Sequence, residues 1–221
     1  MADAYRKLKK YEPAYEVLTT AIAADTGNLI LQRARLPVAI QLKRYKEVIL
    51  TGEKLLNDGL DPAVIRDVAM AFFHLKKYPD AIRYFQQLES IASQSESSLY
   101  YTSLSYRHLN NYKASAEYAK RTIEESISPN VSSYYLLLGG IYESSEQFLT
   151  AIGAYKKGLT FSPNASIYYR LGLIYDLKLN QKKTAISFYR QYLNSKLDKA
   201  AEKEQIDYVK SRLESLQPPK K

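Results

Sequence analysis

The chain has no cysteine, two histidines, and only eight glycines and eight prolines in 221 residues. The missing cysteines exclude a disulfide framework, a thiolate metal site and a cysteine nucleophile, and they suit an oxidising or a reducing compartment equally. Scarce glycine and proline favour helix over sheet. No run of about 18 apolar residues occurs, so no segment reads as a transmembrane helix. The opening M-A-D-A-Y-R-K-L-K-K lacks an apolar signal core. It reads as the second half of a helix, which gives the expectation that the natural chain starts further upstream, with a signal peptide or more repeats.

Catalytic signatures are missing as well. There is no H-E-x-x-H, no G-x-S-x-G, no P-loop and no dinucleotide fingerprint. Acidic neighbours such as Glu124 and Glu125 diverge by about 100° on a helix, which suits solvation and not acid/base work. His74 and His108 lie 34 residues apart. Packed helices stand about 10 Å apart, too far for equivalent residues to share one metal ion. Both are expected at helix ends, facing water or a neighbouring carbonyl. The sequence thus offers no catalytic residue, no metal site and no cofactor.

What is present is an ordinary soluble composition, 46% hydrophobic and 25% charged. Net charge is +9; residues 1–110 hold 15 basic and 12 acidic side chains, and residues 111–221 hold 17 and 11. A spread excess of this kind is the mark of a solvated, lysine-rich helical surface, and it also favours acidic partners.

The strongest signal is a repeat. Residues 128–137 read S-P-N-V-S-S-Y-Y-L-L and residues 162–171 read S-P-N-A-S-I-Y-Y-R-L, identical at seven of ten positions and 34 apart. The phase extends along the chain through Ala14, Val48, Ala81, Ser115, Ala151 and Ala185, spaced 34, 33, 34, 36 and 34. A period of this size marks a stacked-repeat protein. A second apolar stripe lies between anchors, as in Ile65, Val68, Ala69 and Phe72, or Tyr168, Leu171, Gly172 and Tyr175. The spacing i, i+3, i+4, i+7 is one helix face, so each period contains two amphipathic helices. Asp61-Pro62 and Ser162-Pro163 read as an N-cap followed by a first-turn proline. Pro13 and Pro79 sit at starts of second helices. Pro37 falls inside a first helix, where a kink is expected.

The pattern aromatic-x-x-Leu-Gly-x-x-Tyr, then Ala, an aromatic, a small residue and Pro resembles the tetratricopeptide repeat. One unit matches it at Tyr135, Leu138, Gly139, Tyr142, Ala151, Tyr155, Gly158 and Pro163. The next matches at Tyr168, Leu171, Gly172, Tyr175, Ala185 and Tyr189, with one extra residue expected between its helices. The resemblance implies an all-α, right-handed superhelical solenoid of antiparallel helix pairs. Residues 1–197 would form about five full repeats and a partial first one, residues 198–216 a capping helix, and residues 217–221 a disordered tail. In residues 97–110 either Thr102 or Leu104 holds the packing position.

Family resemblance also implies a function: a non-catalytic scaffold whose first helices line a concave face that holds a peptide or partner helix. Carried over by position, that groove contains Arg33, Arg66, Met70, Phe73, Tyr100, Arg107, Leu136, Glu143, Tyr169, Arg170 and Asp176. The fixed Lys, Asn, Asn, Lys, Arg set that binds chaperone tails is not present. The 21 tyrosines are read mainly as core, with rings packed and hydroxyls at the rim. Two alternatives stand beside this reading. One is a bacterial cell-envelope assembly component resembling helical-repeat lipoproteins; the compartment stays open, cytoplasmic or, if an upstream signal peptide has been removed, periplasmic or cell-envelope. The other is an RNA-binding helical array, disfavoured because no dense Arg/Lys stripe accompanies the tyrosines. A truncated first repeat would also leave an apolar end for homodimerisation.

Overall fold

The computed structural model describes residues 1–125 and 130–216, and every regular element among them is helical. The Ser128-Pro129 start of the duplicated phrase and the Q-P-P-K-K tail lie outside the described residues. The chain packs as two compact units, Met1–Tyr118 and Ala119–Lys221. Unit 1 contains α1 (Ala2–Lys7), α2 (Tyr11–Ala24), α3 (Leu29–Gln41), α4 (Tyr45–Asn57), α5 (Pro62–His74), α6 (Tyr78–Ser90), α7 (Glu96–His108) and the first half of α8 (Tyr112–Glu125). Unit 2 contains the rest of α8, then α9 (Val131–Ser144), α10 (Phe148–Leu159), α11 (Ala165–Leu173), α12 (Lys182–Leu193) and α13 (Lys203–Leu216).

The first helices α3, α5, α7 and α11 start on side-chain caps. Asn28 accepts from the Leu31 amide, Asp61 from those of Ala63 and Val64, and Asn164 from that of Ile167. Ser95 and Ser98 form a reciprocal capping box. α3 continues through Pro37 as a single element.

Each first helix ends in the same turn. Lys9, Lys43, Lys76, Asn110, Glu146 and Asn180 all have positive φ, between 50° and 60°. The next amide bonds back over the turn, as Arg44 does to the Ala39 carbonyl and Gln147 to that of Tyr142, both at 2.9 Å. This is the left-handed helix stop, made here without glycine. The anchors Ala14, Val48, Ala81, Ser115, Ala151 and Ala185 each follow such a residue by five positions, and all are fully buried. The turn delivers the second helix, and the anchor lies at its closest approach to the first.

Opposite these anchors the two helices meet through small residues. A Cβ on Gly139 would overlap the ring of Tyr155, and one on Gly172 would overlap that of Tyr189. In the α7–α8 pair, the contact is Ser103 against Ser115. Each hydroxyl donates to the other residue's carbonyl at 2.8 Å. Thr102 is buried and donates to the Ser98 carbonyl, while Leu104 is half-buried, so Thr102 takes the packing position there.

Two expectations change. The cap of α11 is Asn164 and not Ser162, so Pro163 precedes the cap and lies outside the helix. The additional residue of the α11–α12 pair is not in the connection between helices. It is wound into the first helix as a π-turn, Ile174–Lys178, which continues α11. The Leu179 amide reaches the Ile174 carbonyl at 3.0 Å, an i−5 bond. The turn onto α12 therefore keeps its three-residue length, and the inserted residue is absorbed where one helical turn widens.

Glycine makes this packing testable. Gly172→Ala should cost about 1–3 kcal/mol in denaturant titration, because the added methyl displaces Tyr189. Gly153 lies exposed in α10 with nothing near a built Cβ. Gly153→Ala should instead raise stability by about 1 kcal/mol through helix propensity alone.

Candidate functional site

The proposed groove residues resolve into one stripe repeated on successive first helices. On α5 it is Arg66, Met70 and Phe73; on α7, Tyr100, Leu104 and Arg107; on α9, Leu136, Gly140 and Glu143. The spacing i, i+4, i+7 puts each set on one helix face. Arg33 holds the first of these positions on α3. Tyr169 and Asp176 hold the first and last on α11 and its π-turn, with Arg170 beside Tyr169.

On α5 and α7 of unit 1 the stripe keeps its charges free of ion pairs among the described residues. Arg66 is exposed and Arg107 half-buried, and neither guanidinium forms an ion pair or hydrogen bond among the described residues. Phe73, Met70 and Tyr100 are half-buried between them in the chain's first-helix register. Phe73 stands edge-on to Tyr101 at 4.9 Å and to Tyr78 at 5.8 Å, while Tyr100 meets Tyr101 at 5.4 Å. Arg33 pairs with Asp61 at 3.3 Å.

In unit 2 the same stripe is internally paired. Glu143 accepts from the Tyr155 hydroxyl at 2.8 Å and from Arg170 at 3.4 Å. Asp176 is buried; it accepts from Arg212 through Nε at 2.9 Å and Nη2 at 2.8 Å, and from the Tyr189 hydroxyl at 3.1 Å. These bonds hold the Asp176 carboxyl below the usual range, the Arg212 hydrogen bonds being the main cause. Tyr169 lies 5.3 Å from Tyr192, and Leu136 is half-buried. Arg212 from α13 thus does for Asp176 what Arg170 from α11 does for Glu143.

Tyrosine hydroxyls on carboxylates recur outside the stripe: Tyr15 on Glu47 at 2.6 Å, Tyr84 on Glu53 at 2.9 Å and Tyr192 on Glu202 at 3.0 Å. Burial, then the Glu53 bond and charge, pushes Tyr84 up to about 12. The rings pack and the hydroxyls find acceptors at the rim, so buried area is gained without stranding a polar group.

Three features had no sequence-level expectation. The histidines do end their helices, but each stacks on a tyrosine: His74 on Tyr45 at 4.9 Å and His108 on Tyr78 at 4.5 Å. Lys178 occupies the corresponding place over Phe148, at 5.1 Å. The third feature is Asp67, next to Arg66 on α5, which forms no hydrogen bond or ion pair among the described residues. Burial raises it to about 6, with Asp61 adding to the rise and Arg66 opposing it. For the first two, repeat alignment supplies the missing signal, since His74, His108 and Lys178 sit at equivalent positions of successive pairs.

Asp67 carries a pH prediction. Its folded pKa lies above its unfolded value of 3.8. Its protonation therefore favours the fold below that value, and this contribution is lost as pH rises through about 6. Asp67→Asn should stabilise the chain near pH 7 by as much as about 3 kcal/mol and flatten the stability profile between pH ~4 and ~6 in urea melts.

The family profile of the tetratricopeptide repeat matches residues 165–199, which span α11, its π-turn and α12. No curated protein matches the chain. Among solved structures, the C-terminal part of a tetratricopeptide-repeat protein from Cytophaga hutchinsonii is 15% identical. That match covers 100% of this chain and 95% of the other, with a TM-score of 0.73. A tetratricopeptide-repeat protein from Parabacteroides merdae is 18% identical, over 97% of this chain and 81% of that one, with a TM-score of 0.62. MamA from Desulfovibrio magneticus is 16% identical, over 72% and 94%, with a TM-score of 0.61. Tetratricopeptide folds serve generally as non-catalytic protein–protein interaction scaffolds. With helix pairs stopped by a recurring left-handed turn and crossing at small residues, the chain has a tetratricopeptide-repeat fold, and residues 165–199 are a repeat of that family.

Proposed function

We propose that this chain is a non-catalytic adaptor that holds a peptide or a partner helix against its first-helix faces. The observation that carries this reading is the unit 1 stripe. It combines two guanidinium groups that form no ion pair or hydrogen bond among the described residues, Arg66 and Arg107, with the partly exposed side chains of Met70, Phe73 and Tyr100. Aromatic and arginine side chains of this kind supply most of the energy at protein interfaces. Arginine presents a planar fork that matches a carboxylate, so the favoured partner offers acidic or C-terminal groups beside aliphatic ones.

In unit 2, Leu136, Tyr169 and the Arg170–Glu143 pair form the corresponding surface, and Asp176 acts by fixing Arg212 and α13 at its end. The reading treats residues 1–197 as repeats and 198–216 as the cap. No helix among the described residues is long and apolar enough to cross a membrane, and the partner is taken to be a protein.

The test is a peptide array probed with the intact chain and with Arg66→Ala/Phe73→Ala/Arg107→Ala, each checked for folding by circular dichroism. Bound peptides should be enriched in Asp, Glu and free C-termini beside Leu or Phe. The triple variant should lose at least about tenfold in affinity, roughly 1.4 kcal/mol. Equal binding by a folded variant would rule out the unit 1 stripe as the site.

A further inference from the structure

A second candidate binding feature lies within unit 2, at α12 and α13. Between the end of α12, the following connection and α13 is a cleft of about 480 Å³. Leu193, Leu197 and Ile206 contribute its apolar lining, all half-buried. Lys199, Lys203 and Lys210 stand around it, all exposed, and Asp207 is the one acid among the described lining residues. On α13, Lys203, Ile206, Asp207 and Lys210 fall at i, i+3, i+4 and i+7, so one helix face is turned to the cleft. Neither Lys203 nor Lys210 ion-pairs with Asp207, and Lys199 has no ion pair among the described residues. The lining thus places three ammonium groups, none in an ion pair among the described residues, around an apolar recess, and the lining residues sum to +2 with Asp207 counted.

We propose that this cleft is a docking site for an acidic segment of a partner protein, with one large apolar side chain seated between Leu197 and Ile206 and flanking carboxylates facing the lysines. The complement is in charge and in shape. A recessed apolar floor takes an inserted side chain, and lysines at its rim steer and orient acidic groups. No aromatic ring lines the cleft among the described residues, so it lacks the stacking surface on which single-stranded nucleic acid binds. Residues 217–221, Q-P-P-K-K, complement neither feature, having two positive charges and no large apolar side chain.

The experiment is fluorescence anisotropy on the full chain with a labelled Asp-Glu-Leu-Phe-Glu-Asp peptide. Two control peptides replace the acids with lysine or Leu-Phe with Ser-Ser. The protein variants are Lys199→Glu/Lys203→Glu/Lys210→Glu, which alters only exposed side chains, and Arg66→Ala/Arg107→Ala, which alters the stripe. Measured in the Arg66→Ala/Arg107→Ala background, which removes the stripe's guanidinium groups, the acidic apolar peptide should still bind, both control peptides should bind at least about tenfold more weakly, and adding the lysine reversal should weaken binding by a similar factor. Three outcomes overturn the proposal: no binding by the intact chain, equal binding after lysine reversal, or loss only in the stripe variant. Lysine-dependent sedimentation with phosphatidylserine vesicles, without peptide binding, also overturns it and assigns the lysines to a lipid surface.

Discussion

The structure depends on how closely the two helices of a pair can cross. One residue on each side sets that distance, and the rest of the pair is built around it. Gly139 and Gly172 bring the first helix onto the full rings of Tyr155 and Tyr189, both completely buried. Other pairs reach similar closeness with different volumes. Leu36 stands seven residues before its left-handed turn residue, as Gly139 does before its own. The second helix of that pair then carries Gly52 where α10 carries Tyr155, and Val68 of α5 fills the space above Gly52. Ala69 and Phe85 divide the volume between these extremes. Bulk is thus exchanged between facing positions, as close packing demands.

Much of this was legible from sequence because it is local and periodic. The anchors, the two helices per period and the Asp61 cap follow from spacing and residue type, whereas the cap of α11 falls on Asn164, two residues past the expected Ser162. The extra residue of the last pair was visible as a count, but its location was not. A loop and a widened helical turn both absorb one residue, and only the contacts of Gly172 with Tyr189 and of Asp176 with Arg212 decide for the turn. The stripe positions were legible as helix register too. Their state of pairing was not, because Arg212 lies 36 residues from Asp176 and nothing in the spacing announces the bond. Asp67 escaped notice for the opposite reason: its significance is a missing partner, which a sequence does not display.

That difference in pairing gives the two stripes different chemistry on the same scaffold. In unit 2, Glu143 and Asp176 bind each first-helix face to the next helix through arginine, and the charge is spent inside the fold. In unit 1 the corresponding surface keeps Arg66 and Arg107 available beside Phe73 and Tyr100. Rigid pairs matter here because a surface held by close-packed helices loses little freedom when a partner arrives. The αL turns serve the same end. They fix where each second helix begins, and so where each first-helix face points.

The most direct test of the central claim is a double-mutant cycle at one crossing. Gly139→Leu, Tyr155→Ala and the double variant would be melted in parallel and compared with the parent chain. If facing volumes set the crossing, Leu at 139 should be severely destabilising alone and much less so once the Tyr155 ring is gone, a favourable coupling of at least about 1 kcal/mol. Strictly additive losses would contradict the account, because the two positions would then not be sharing one space.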